Sequence, residues 1–139
     1  MELLGSAGVH AVGRVSYGLM APYWQASDEP IAAPMNAIPK AVFSRTLRSA
    51  TWPESTVHPD IERGIAELKT QDGGPIIAHG GATFAQTLTR LDLVDEYRIN
   101  VHPVAFGEGY RLFGGPLKLR LVATRTFARG TVAYTYARS

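Results

Sequence analysis

The sequence predicts an α/β fold, and three observations carry the prediction. Short apolar runs alternate with segments of helical period, one of those runs leads directly through a glycine pair into a helix, and the last third alternates apolar and polar residues. Val9 to Val12 is the first buried run, closed by Gly13; Lys40 to Phe43 is the second, opened by Pro39 and closed by Ser44. Both read as buried strands. Between them, Pro22 to Pro39 is a proline-rich excursion of weak periodicity. Ile61, Ile65 and Leu68 fall at i, i+4 and i+7, with Glu62, Arg63, Glu67 and Lys69 on the other face. This is an amphipathic helix, capped by Asp60 and ended near Asp72-Gly73-Gly74.

Pro75 to Ala78 forms a third strand, and Gly80-Gly81 then opens a helix whose apolar side is Phe84, Leu88 and Leu91. Glu96 to Val101 alternates Tyr97, Ile99 and Val101 with polar neighbours. Leu117 to Thr126 and Thr131 to Tyr136 flank Ala128-Arg129-Gly130, a hairpin-like turn, so the C-terminal third is β-rich. Pro103 to Pro116 is a glycine-punctuated loop. The adjacent Asp95-Glu96 pair invites an acid/base role, but neighbours in a strand point to opposite faces, and a structural role is expected.

A length of 139 residues fits one domain spanning the chain. With 45% hydrophobic and 19% charged residues, a real core is available and a disordered chain is excluded. The excess of 14 Lys+Arg over 12 Asp+Glu is too small and scattered to be a polyanion footprint, so no nucleic-acid partner is expected. The absence of cysteine excludes a disulfide framework, a thiolate metal site and a cysteine nucleophile, and it fits a reducing cytoplasm. No stretch approaches the roughly 20 apolar residues of a spanning helix, so no membrane partner is expected. Met1-Glu2-Leu3-Leu4-Gly5 carries an acid where a secretory signal needs positive charge, and cytoplasmic localisation is the expectation. His10, His58, His79 and His102 lack metal-ligand spacing, so no metal is expected. No nucleophile elbow or Ser-His-Asp order is present.

The residues that could carry chemistry lie at strand ends. A phosphate needs converging N–H donors, and the first turn of a helix supplies them with the positive end of its dipole. Gly80-Gly81-Ala82-Thr83 follows a strand and has that construction, although the pair could equally serve only as a tight strand-to-helix turn. The spacing is not that of the GxGxxG dinucleotide fingerprint. Val12-Gly13-Arg14-Val15-Ser16 and Phe43-Ser44-Arg45-Thr46 each put an arginine and a hydroxyl just beyond a buried strand, where open α/β sheets bind ligands. A guanidinium matches phosphate oxygens bidentately, so two of them favour a 2′-phosphorylated ribose and hence NADPH over NADH. His79, directly before the glycines, either faces the nucleotide or packs.

These residues carry a resemblance. Gly13-Arg14-x-Ser16-Tyr17, Ser44-Arg45-Thr46-Leu47, Gly80-Gly81-Ala82, Leu93-Val94-Asp95-Glu96-Tyr97, and Pro103-Val104 with Gly107-x-Gly109 and Leu112-Phe113 follow one another along nearly the whole chain. In that order they resemble the dihydrofolate-reductase-like family, and within it the reductase domain of the bifunctional deaminase-reductase of riboflavin biosynthesis and its stand-alone relatives. The resemblance implies a three-layer fold with a central mixed sheet, holding NADPH across its strand ends. It implies that Gly80, Gly81, Ala82 and Thr83, followed by Phe84, hold the pyrophosphate. Gly13, Arg14 and Ser16 would sit at a second helix start, and Ser44, Arg45 and Thr46 would meet the adenosine 2′-phosphate.

The implied activity is hydride transfer to a small heterocyclic or ribosylamino-pyrimidine substrate, as in a 5-amino-6-(5-phosphoribosylamino)uracil reductase. No catalytic proton donor is identifiable. Family members usually begin with a strand and an active-site loop, whereas here the chain opens on what resembles the helix after them, so the domain is expected to be N-terminally short. Kinship implies a homodimer. Two other readings stay open: a dihydrofolate-reductase-like enzyme with another substrate, and a non-catalytic nucleotide-binding protein or structural dimer of the same fold.

Overall fold

The computed structural model describes residues 8–71, 73–79 and 81–139. Three segments that the sequence reading uses lie outside the described residues: the N-terminal Met1 to Ala7, Asp72 beyond the first amphipathic helix, and Gly80 of the glycine pair. The chain divides into two compact units, Met1–Ala85 and Gln86–Ser139.

In the first unit, the two apolar runs form β1 (Val9–Gly13) and β2 (Lys40–Phe43), paired in parallel with His10 opposite Lys40 and Gly13 opposite Phe43. With β3 (Ser55–His58) and β4 (Ile76–Ala78) they make a parallel sheet ordered β3-β2-β1-β4. Alternation along β2 turns Lys40 and Val42 to one face and Ala41 and Phe43 to the other. The Lys40 face is covered by α1 (Arg14–Ala26) and α2 (Ala32–Ala37), through a core of Ala21, Met35, Ile38 and Trp52. The Phe43 face is covered by α3 (Ile61–Lys69), which buries Ile65 and Leu68. Helices, sheet and helix are the three layers that the resemblance implied, and cover on both faces explains why the central strands are apolar apart from the buried His10 and Lys40.

Two elements differ from the sequence reading. The proline-rich excursion is mostly helix, because Pro22 lies inside α1 and Pro34 inside α2. A proline in a helix interior costs about 3 kcal/mol relative to alanine. Here Tyr17, Met20, Ala21 and Trp24 recur at helical spacing and all pack into the core, so burial of that stripe offsets the missing Pro22 N–H. Strand β3 had no apolar run to announce it. It is an edge strand, only partly buried, and its place comes from parallel pairing with β2.

Local signals are obeyed closely in α3. Asp60 caps it by accepting the Arg63 N–H at 3.1 Å, and Glu62 and Lys69 sit at the ends that the helix dipole favours. Its one unfavourable residue, Gly64, is there for packing. A Cβ at Gly64 would lie 2.6 Å from Phe43 Cε1 and 3.2 Å from His58, whose ring stacks on Phe43 at 5.3 Å. Gly64→Ala is therefore expected to destabilise the protein by roughly 1 kcal/mol, overpacking outweighing the gain in helix propensity. Thermal denaturation tests this, and a variant melting above the wild type would contradict it.

The helix α4 (Ala82–Arg90) starts in the first unit and ends in the second. In the second unit β5 (Glu96–Val101), β6 (Leu119–Thr126) and β7 (Val132–Arg138) form an antiparallel sheet ordered β5-β7-β6. The turn between β6 and β7 closes with Phe127 N–H donating to Thr131 O at 2.8 Å, and Gly130 supplies a φ of +94°. Tyr97 is buried, its ring 5.3 Å from Phe113. Parallel and antiparallel pairing are thus both present, one in each unit. Asp95 and Glu96 are engaged by arginines of this unit, Arg138 and Arg98. Among the described residues no helix is long and apolar enough to cross a membrane.

Candidate functional site

The strand order marks where a candidate site lies. From β1 the chain passes through α1 and α2 to β2 on one side, while β4 pairs with β1 on the other. The carboxyl ends of β1 and β4 are therefore a topological switch point, the place where open α/β sheets form a ligand crevice. β1 runs straight into α1 at Gly13, and β4 is followed in the chain by α4, which begins just after Gly81.

The two junctions interlock. A Cβ on Gly81 would lie 2.7 Å from Ser16 Oγ, and one on Gly13 would lie 3.2 Å from Cβ and 3.3 Å from Cγ of Phe84. Gly81 also has φ +52°, in the left-handed region that disfavours a side chain. Each glycine thus lets the opposite helix start come close. Gly13 is the N-cap of α1 and offers no side-chain cap, so the first-turn amides depend on other acceptors. Ala82 and Thr83 are exposed in the first turn of α4. Phe84 is buried and stacks on Phe43 at 5.6 Å, so what it can present to the crevice is backbone.

Of the remaining sequence candidates, Arg14 is exposed at the first position of α1. Because Gly13 pairs with Phe43, Arg14 and Ser44 leave neighbouring strands side by side. Ser44 is buried, and its Oγ accepts the N–H groups of Thr46 at 3.2 Å and Leu47 at 3.0 Å. Its hydroxyl thereby shapes the loop on which Arg45 and Thr46 are exposed. Among the described residues neither Arg14 nor Arg45 has an ion-pair partner.

Two residues that the sequence reading did not weigh for this site lie in the elements that form these junctions, Tyr17 in α1 and His10 in β1. The Tyr17 phenol oxygen accepts the Thr51 N–H at 2.8 Å, tying α1 to the loop that carries Arg45. His10 is fully buried in β1, with both ring nitrogens lacking a partner among the described residues. Burial, with the nearby His79 and Lys40, pulls His10 from the usual 6.5 down to about 4. His79 packs edge-on against it at 4.8 Å between ring centroids, and burial of that ring lowers its pKa as well, although the residue as a whole is exposed. Both rings are neutral at neutral pH. Residue type alone carried no sign of the His10 burial; its position inside an apolar run was the available hint.

Comparison with known proteins follows the same outline. The family model of the RibD C-terminal domain matches residues 3–133. The Bacillus subtilis (strain 168) "Uncharacterized protein YyaP" is 33% identical over 132 residues, which cover 89% of this chain and 70% of that protein. "Uncharacterized protein YwjB" of the same strain is 37% identical over 67 residues, 46% of this chain and 38% of that protein. A crystal structure described as "Putative riboflavin biosynthesis protein" from Shewanella sp. PV-4 superposes with a TM-score of 0.78 at 21% identity, covering 99% of this chain and 77% of that one. With the matched segment running through both interlocked junctions and on to the start of β7, the chain belongs to the RibD C-terminal domain family and has the dihydrofolate-reductase-like α/β fold.

Proposed function

We propose that the protein is an NADPH-dependent reductase of the riboflavin-biosynthesis type, acting on a small heterocyclic or ribosylamino-pyrimidine substrate. The observation that carries this reading is the meeting of two helix starts, at Gly13 and Gly81, across glycines that a side chain would force apart. Two such N-termini offer backbone donors and favourable dipoles to one anionic group. Membership in the RibD C-terminal domain family supports the same reading.

Bound NADPH would supply the hydride, and the chain's own residues bind and orient. The amides around Gly81, Ala82 and Thr83, with Gly80, hold the pyrophosphate, and Gly13, Arg14 and Ser16 line the facing helix start. Arg45, with Ser44 and Thr46 on the same loop, meets the 2′-phosphate, and its charge persists at any working pH. A small-molecule substrate, a single domain, a cytoplasmic setting and a homodimer belong to the same proposal.

Fluorescence titration with NADPH and NADH tests it. Tighter binding of NADPH is expected, and Arg45→Ala should weaken NADPH by about tenfold, the worth of one charge-assisted contact, while leaving NADH nearly unchanged. Equal affinity for both cofactors, or an equal loss of both in the variant, would contradict the assignment. Loss of reduced-nicotinamide absorbance with a ribosylamino-pyrimidine then separates an enzyme from a protein that only binds the nucleotide.

A further inference from the structure

The strands β2 and β3 are parallel neighbours, so the chain must return from the end of one to the start of the other. Among the described residues, Ser44 to Glu54 makes this return without a helix. A crossover with no ladder of its own leaves its amides to be satisfied singly, and it is held at discrete points. At the start, Ser44 Oγ accepts the Thr46 and Leu47 amides. Near the end, Trp52 is buried to 1% exposure and its indole N–H donates to Asn36 Oδ1 at 2.7 Å. Between those points the chain exposes Arg45 and Arg48.

Tyr17 supplies the remaining tie. Its phenol oxygen accepts the Thr51 N–H at 2.8 Å and, more weakly, the Trp52 N–H at 3.4 Å, and it lies 3.5 Å from Thr51 Oγ1. Among the described residues this is the hydrogen-bonded link between α1 and the crossover. Burial alone would raise the phenol's pKa, yet the hydroxyl and the two amides hold it below the usual value, as befits an oxygen acting as acceptor. Tyr17 is in the first turn and a half of α1, one residue beyond Ser16, which faces Gly81. The helix that borders the crevice and the loop that carries two guanidinium groups are thereby joined through one oxygen.

We propose that Tyr17 is a positioning residue that sets cofactor specificity: by accepting the Thr51 amide it fixes the arginine-bearing crossover relative to the first turn of α1, so that a 2′-phosphate is gripped on arrival. This rests on the NADPH reading above. Preorganisation of this kind favours the ligand that uses the loop and leaves one that does not use it nearly unaffected.

The test is Tyr17→Phe, which removes only the hydroxyl. Hydrogen exchange at the Thr51 and Trp52 amides and dissociation constants for NADPH and NADH are measured on the variant and the unaltered protein. Faster exchange at Thr51 is expected, together with an NADPH dissociation constant raised about fivefold, the equivalent of one hydrogen bond, and an NADH constant within about twofold. In an Arg45→Ala background the same change should no longer alter the ratio. An unchanged ratio, or equal losses of both cofactors, would overturn the proposal while leaving the NADPH reading standing. Absence of any NADPH preference in the unaltered protein would instead remove that reading, and this one with it. If the variant fails to fold, the unaltered protein decides. Thr51 exchange should then slow more with NADPH than with NADH, and equal slowing would count against the latch.

Discussion

A Trp52→Ala chain is expected to lose about 3–5 kcal/mol of stability, the usual cost of emptying a large buried aromatic site. Against a total of about 5–15 kcal/mol for a domain, that is enough to leave much of the protein unfolded under mild stress. Three contacts meet at this ring. Trp52 lies in the core with Ala21, Met35 and Ile38, its N–H satisfies Asn36 Oδ1, and Lys40 Nζ sits 4.4 Å from the ring centroid. Burial lowers the Lys40 pKa to about 8, partly countered by Glu54, so the amine is still charged at neutral pH. The Asn36 and Pro53 carbonyls, which accept from it at 2.6 and 2.8 Å, would remain after truncation, but the aromatic face would not. Trp52→Phe should be milder, about 1–3 kcal/mol, because it retains a ring but strands the Asn36 oxygen. Urea denaturation followed by far-ultraviolet circular dichroism measures both. An alanine variant within about 1 kcal/mol of the wild type would show that the crossover is not anchored by this ring.

Stability should also fall with acid in a defined window, because of His10. Its folded pKa of about 4 is lower than the 6.5 of an unfolded histidine, so between those values the unfolded chain binds a proton that the folded chain refuses. The contribution is fully present above pH 6.5, shrinks as the pH falls toward 4, and levels off below that. A depression of this size corresponds to roughly 3 kcal/mol at most. His79, lowered by burial in the same direction, steepens the same window, and the charge on Lys40 opposes protonation of His10 throughout it. In denaturant midpoints taken from pH 7 to pH 4, His10→Leu should flatten much of the dependence. A variant that tracks the wild type across that range would mean that the loss comes from other groups.

Much of this was open to reading in the chain itself. The strand Lys40–Phe43, the capped helix from Ile61 and the strand Glu96–Val101 are each determined by residues close in sequence, and the structure has them where periodicity and punctuation put them. The helix through Pro22 was hidden because a proline outweighs a partial apolar stripe until a sheet is there to pack against. Ser44 is a candidate ligand contact by its place at a strand end, and its hydroxyl also closes a turn, a use that only the positions of the Thr46 and Leu47 amides show.

Sequence alone determined the alternation of strands and helices, the family, and which strand ends carry glycine, arginine and hydroxyl groups. Those follow from local sterics, hydrophobic period and residue chemistry, which neighbours along the chain supply. Tertiary structure alone decided that β1 lies between β2 and β4, that Gly81 meets Ser16, that Tyr17 holds the crossover and that His10 is sealed from water. These depend on contacts between residues far apart in sequence. Strand order and close packing select such contacts through the burial they jointly achieve, and no short stretch of chain encodes that burial by itself.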